Sequence, residues 1–110
     1  MKLPLALRGE VWLTRLDPTV GNEIQKTRPC LVVSPDMMNH SLGTVIVMPL
    51  TSGSQPEPFR PGSKIGGVSG LLLGDQIRSA SKRRLIRKLD NADHATLAKA
   101  LAALREMFEE

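Results

Sequence analysis

Up to about residue 81 the apolar positions come in short clusters separated by turn chemistry, and after Asp93 they recur every three or four residues. The first cluster, "EVWLTRL", is rich in β-formers and is closed by Asp17, Pro18 and Gly21, which predicts a strand over 10–16. "CLVVS" is a continuous apolar run between Pro29 and Pro35, too short for a helix, and predicts a strand covered on both faces. "NHSLG" then turns the chain into "TVIVMPL", a third strand with β-branched residues at Thr44, Val45, Ile46 and Val47. Its exit carries three prolines and four glycines between Ser52 and Gly67, which predicts a long, mobile loop outside the core. "VSGLLL" and "QIRSAS" resume the strand pattern, with Gly70 and Gly74 at expected bends or bulges. Short strands punctuated by Gly and Pro suggest a small barrel.

The period changes after Asp93, a good N-cap. Leu97, Leu101, Leu104 and Phe108 fall on one stripe of an alanine-rich amphipathic helix, suited either to cap the barrel or to share a subunit interface. The fold class is therefore mainly β with α. A chain of 110 residues can close one hydrophobic core, so a single domain over 1–110 is expected. The apolar start, Leu3 to Leu7, is interrupted by Arg8 and lacks a cleavage site, and no later run is long enough to span a bilayer. The expected location is cytoplasmic, with no membrane partner.

Composition narrows the chemistry. One cysteine, Cys30, and two histidines, His40 and His94, give no metal-ligand spacing, so neither a metal nor any other cofactor is expected. Cys30 reads first as a small buried hydrophobe and second as a nucleophile. The formal charge is +4, and Arg78, Lys82, Arg83, Arg84, Arg87 and Lys88 fall in one segment, a block that is either a solvated basic face or the footprint of a polyanion. Trp12, Phe59 and Phe108 are the only aromatics, too few for a base-stacking platform.

Polar residues stand at the strand ends: Asn22 and Glu23 in the first loop, Lys26, Thr27 and Arg28 at the entry to the second strand, Thr51 and Ser52 at the exit of the third, and Asp75 and Gln76 before the next. Strand ends are where rigid scaffolds present working groups. If the second and third strands are antiparallel, Arg28 and Thr51 emerge at the same end of the sheet. A guanidinium fork and a hydroxyl suit a phosphoryl centre, and RNA carries its own nucleophile in the 2'-OH. Arg28 cannot accept a proton near neutrality, whereas the carboxylate of Glu23 can. The structural alternatives are that Arg28 bridges to Asp17 or Asp75, that Thr51 simply finishes a strand, and that Glu23 is an inert surface residue.

"RGEVWLTRLDPTVGNEIQKTRPCLVVSP", "VIVMPLTS", "GDQIRS" and "RLIRKL", in that order, resemble the MazF/PemK family of toxin endoribonucleases. The resemblance implies a compact SH3-like β-barrel (PemK/CcdB-like) with a C-terminal helix, and a homodimer. It implies metal-independent cleavage of single-stranded RNA, including mRNA, to 2',3'-cyclic phosphate and 5'-hydroxyl ends. It also implies a cognate antitoxin with an acidic, partly disordered tail. Carried over by position, Arg28 and Thr51 match the catalytic pair, Glu23 an acid/base partner and Gln76 a base-contacting residue. Asn22, Lys26, Thr27, Ser52, Asp75 and Arg78 complete the RNA-binding set. Some PemK-type relatives use a histidine before the loop glutamate and an arginine two residues before the aspartate; here those positions are Asn22 and Leu73, so of that scheme only Asp75 remains. The loops over 17–27 and 52–67 are the expected readers of RNA sequence. Two other functions suit the same fold: a CcdB-like poison of gyrase, and a nucleic-acid-binding module without catalysis.

Overall fold

The computed structural model describes residues 3–16, 20–23, 26–53 and 55–110. Strands β1 (Glu10–Arg15), β2 (Thr27–Val32) and β3 (Thr44–Thr51) form an antiparallel sheet with β2 at its centre. On its other edge β3 divides its pairing between two strands. Its first half, Thr44 to Val47, pairs with β6 (Arg78–Ser81), and its last two residues pair with β5 (Val68–Leu72). β4 (Gly62–Ile65) completes a hairpin with β5, and β7 (Leu85–Asn91) pairs with β1, giving the order β4-β5-β3-β2-β1-β7.

Alternation along β2 and β3 explains why both strands read as apolar runs. Cys30, Val32, Val45 and Val47 enter one core cluster with Leu16, Ala80 and Leu85. Leu31, Val33 and Met48 enter the other, with Val11, Leu72 and Ala100. Each strand is thus covered on both faces, as its uninterrupted hydrophobicity predicts.

The register between β1 and β7 shifts twice, at Val11/Trp12 and at Leu13/Thr14, and such irregularities increase the local twist of a sheet. The sheet curls into a half-barrel until its ends approach: a Cβ added to Gly66, at the β4–β5 turn, would lie 3.0 Å from Oδ2 of Asp90 on β7. The mainly β barrel with a C-terminal helix agrees with the sequence reading. The two glycines expected at bends or bulges also serve close approach. A Cβ on Gly74 would sit 2.3 Å from the carbonyl oxygen of Phe59, and one on Gly70 would sit 2.7 Å from that of Thr51.

Three local expectations need correction. "NHSLG" is not a simple turn, because Asp36–Ser41 form a short helix, α1, that starts directly after Pro35. Asn39 of α1 is buried; its amide donates to the Ser34 carbonyl at 3.0 Å, and its own carbonyl accepts from Lys82. The segment 52–67 is not all loop, since Gly62–Ile65 form β4. Helix α2 (His94–Met107) begins at Asp93, whose carboxylate accepts the Thr96 N–H at 2.7 Å, and Leu97, Leu101 and Leu104 pack on the second core cluster. Phe108 does not join them: it leaves the helix at its C-cap and is 73% exposed.

Candidate active site

Arg28 is the second residue of β2, level with the buried Thr14 of β1. Pro29 follows it, and a residue before proline is held in extended backbone, so the chain around Arg28 is stiff. Cys30 lies opposite Pro49 across the β2–β3 ladder, and continuing that register outward by two brings Arg28 level with Thr51. Both residues, with Ser52, line one cavity of about 400 Å³.

The walls come from the whole barrel. Val11, Pro29 and Leu50 belong to β1, β2 and β3, while Ile65, Gly66 and Val68 come from the β4–β5 hairpin. Ser69 and Gly70 continue β5, and Leu89 and Asp90 bring in β7. The result is a mostly apolar floor carrying a guanidinium, three hydroxyls and one carboxylate, the usual make-up of a small-ligand cavity. The sequence reading missed Asp90 and the hairpin walls. A single acid closing a run of basic residues was the available signal, but only the closing of the barrel brings it beside Arg28 and Thr51.

The other predicted residues lie outside the cavity lining. Asn22 and Glu23 are exposed in the loop between β1 and β2, and Oε1 of Glu23 accepts the Val20 N–H at 2.6 Å. Lys26 and Thr27 are exposed at the entry to β2, Lys26 with a left-handed φ of 68° and its carbonyl accepting from Leu16 N–H at 2.9 Å. Asp75 is gripped by Arg60 in a two-pronged pair, Nε to Oδ1 and Nη2 to Oδ2, both 2.7 Å. Those hydrogen bonds from Arg60 hold the Asp75 carboxyl below its ordinary range, so it is charged and engaged. Gln76 is half-buried in the same turn, and Arg78 donates from Nη1 to the Leu16 carbonyl at 3.0 Å. Of the loops named as sequence readers, residues 17–19, 24–25 and 54 lie outside the described residues, as does the Arg28 bridge to Asp17. The bridge of Arg28 to Asp75 gives way to Arg60 as partner of that carboxylate.

The basic segment is less open than its composition suggests. Lys82 is buried, Arg84 donates to the Arg15 carbonyl at 3.2 Å, and Lys88 pairs with Glu10 at 3.0 Å, while Arg83 and Arg87 are exposed. Cys30 is fully buried in the first core cluster; burial pushes its thiol up to about 12, against smaller opposing effects of Thr14 and Arg78, and its S–H donates to the Arg28 carbonyl, 3.6 Å away. Among the described residues no three His, Cys, Asp or Glu side chains gather closely enough to hold a metal ion.

A family model described as PemK-like, MazF-like toxin of type II toxin-antitoxin system matches residues 7–108. The chain belongs to the PemK/MazF toxin family. It is 34% identical over 109 residues to the endoribonuclease MazF9 of Mycobacterium tuberculosis, covering 89% of this chain and 92% of that one. Among solved structures it is similar to MazF of Deinococcus radiodurans, with a TM-score of 0.82 at 30% identity over 97% of both chains. It is also similar to a chain of a MazE–MazF structure from the same organism, with a TM-score of 0.75 at 28% identity over 97% of this chain and 96% of that one. As a PemK/MazF toxin, the chain places its strand-end residues in a fold whose relatives carry the name endoribonuclease. Among the described residues no helix is long and apolar enough to cross a membrane.

Proposed function

We propose that this chain, as one cytoplasmic domain, is the toxin of a type II system and cuts single-stranded RNA by making the ribose attack its own phosphate. The 2'-oxygen forms a bond to the adjacent phosphorus while the bond from phosphorus to the 5'-oxygen breaks, leaving a 2',3'-cyclic phosphate and a 5'-hydroxyl. The 2'-proton passes to a carboxylate and the departing 5'-oxygen takes a proton from solvent. The supporting observation is that Arg28 and Thr51 line the same cavity from neighbouring antiparallel strands.

In this reading the Arg28 guanidinium neutralises charge building on the phosphoryl oxygens, and the Thr51 hydroxyl donates to one of them. Charge neutralisation by a side chain that is always protonated is what lets the reaction run without a metal. Glu23 is the proposed proton acceptor, through Oε2, since Oε1 already accepts from Val20. Asn22, Lys26 and Thr27 hold the strand on the β2 side and Ser52 next to Thr51, with Asp75, Gln76 and Arg78 along the flank. In this reading the chain works as a homodimer and its antitoxin covers the cavity with an acidic, partly disordered tail; the similarity to a MazE–MazF structure supports an antitoxin partner.

Arg28→Ala tests this. Its cleavage of a defined single-stranded RNA should fall by at least about a hundredfold, the scale of removing a transition-state charge stabiliser. Cleavage at the original rate by a folded Arg28→Ala protein would eliminate the assignment, and double-strand DNA breaks with RNA left intact would favour a gyrase poison.

A further inference from the structure

A carboxylate in a cavity meant for a polyanion is an electrostatic liability unless it has a partner there. Asp90 is such a group: it lines the cavity with Arg28, Thr51 and Ser52, and the proposed reaction gives it no task. Its Oδ1 accepts the N–H of Asn91 at 2.7 Å, which occupies one oxygen and leaves the lone pairs of Oδ2. That second oxygen lies under the β4–β5 turn, where Gly66 has a φ of +60° and a side chain would come within 3.0 Å of it. The floor beside it is apolar, made by Val11, Leu50, Ile65, Val68 and Leu89. An apolar floor with one acceptor at its edge fits a flat heterocycle bearing an exocyclic amino group.

We propose that Asp90 reads a nucleobase next to the scissile phosphate: its carboxylate accepts an exocyclic amino N–H of cytosine, adenine or guanine and rejects uracil. With the pyrimidine held by ring position 4, uracil presents a carbonyl oxygen where cytosine presents its amino group, so two acceptors would face each other. Sequence-specific proteins read unstacked RNA bases on such edges, and a buried acceptor left facing another acceptor discriminates strongly. The inference rests on the RNA-cleaving reading above and adds a specificity-determining residue to it.

The test is to digest an RNA library carrying a randomised window with the wild-type protein, Asp90→Asn and Asp90→Glu, and to map the 5' ends of the fragments. The wild type should disfavour uracil at one position beside the cut by at least about fivefold, the lower end for one base-edge contact. Asp90→Asn, which carries a donor as well as an acceptor, should erase that bias, whereas Asp90→Glu should keep it. Thermal unfolding of each variant confirms that the comparison is between folded proteins. A cleavage pattern unmoved by Asp90→Asn overturns the proposal. So does a uniform loss of rate at every site, which would make Asp90 a proton-transfer group rather than a reader. A wild-type protein that cuts no RNA would overturn the reading of the cavity as a ribonuclease site as well, and so separates that failure from the failure of Asp90 alone.

Discussion

Thr51 is positioned by backbone, and Gly70 is the residue that permits it. In Gly70→Ala the new methyl would lie 2.7 Å from the Thr51 carbonyl oxygen, against an ordinary contact of 3.4 Å or more, a shortfall of about 0.7 Å. The obstacle is main chain, so no side-chain rotation relieves it, and β5 or the end of β3 must move by most of that distance. These strands pair there through only Leu50 with Leu72 and Thr51 with Leu71, so the end of β3 is the weaker part and Thr51 moves with it. A misplacement approaching 1 Å in a catalytic group costs up to about a hundredfold in rate. Gly70→Ala should therefore lose about 10- to 100-fold in kcat, with a smaller change in KM, because in the proposed reaction the Thr51 hydroxyl contributes most in the transition state. The control is Gly43→Ala, where nothing lies within 4 Å of the added methyl and φ is outside the left-handed region; it should cleave like the wild type. The assay is single-turnover cleavage of one defined RNA, normalised to the folded fraction from a thermal melt. A folded Gly70→Ala protein with a rate within about twofold of Gly43→Ala would refute the placement of Thr51 in the reaction.

Glu10 and Cys30 give two further predictions. Burial acts to raise the Glu10 pKa, but the Leu7 N–H, the Trp12 indole and Lys88 outweigh it, so the folded carboxyl lies below its ordinary value of 4.5. Its stabilisation is present above that value and is lost as pH falls through the lower folded one, so Glu10→Gln should cost about 1–3 kcal/mol at neutral pH and flatten the acid limb of a stability-versus-pH curve; an unchanged acid limb would refute it. Cys30, buried with its thiol near 12, should resist a thiol reagent at pH 8 until the protein unfolds, so that modification tracks the melt; rapid labelling of the native protein would contradict its burial.

What the sequence made legible was set by local punctuation. Pro29 and Pro35 bracket β2, and the β-branched run from Thr44 marks β3, because proline and side-chain shape act within a few residues. Asp93 marks the start of α2 for the same reason. Helix α1 carries such a signal too, proline then an acid at the first turn, but it is only six residues long and "NHSLG" reads as a turn. β4 was hidden by its glycine, serine and lysine, although Gly66-Gly67 between Ile65 and Val68 is a two-residue hairpin signal. In the site, antiparallel pairing of consecutive strands made the meeting of Arg28 and Thr51 foreseeable. Asp90 was not foreseeable, since β7 and the β4–β5 tip are the two ends of the strand path and meet only when the sheet curls.

That closure ties stability to chemistry in one specific way. The two register shifts between β1 and β7 bend the sheet, and the bend carries Asp90 toward the glycine turn that roofs the cavity. Arg28 and Thr51 stand on the inner strands β2 and β3, paired with Thr14 of β1 and Leu71 of β5, whereas Asp90 and the roof stand on the edge elements. Edge pairs open at lower free energy than central ones. The two groups proposed to stabilise the phosphoryl centre are thus on inner strands, and the group proposed to contact the base is on an edge strand that opens more easily. A substitution that loosens the hairpin, such as one lengthening the Gly66-Gly67 turn, should broaden which RNA sequences are cut well before it lowers the rate at the preferred one. If instead rate and selectivity fell together, the division of labour between centre and edge would be wrong.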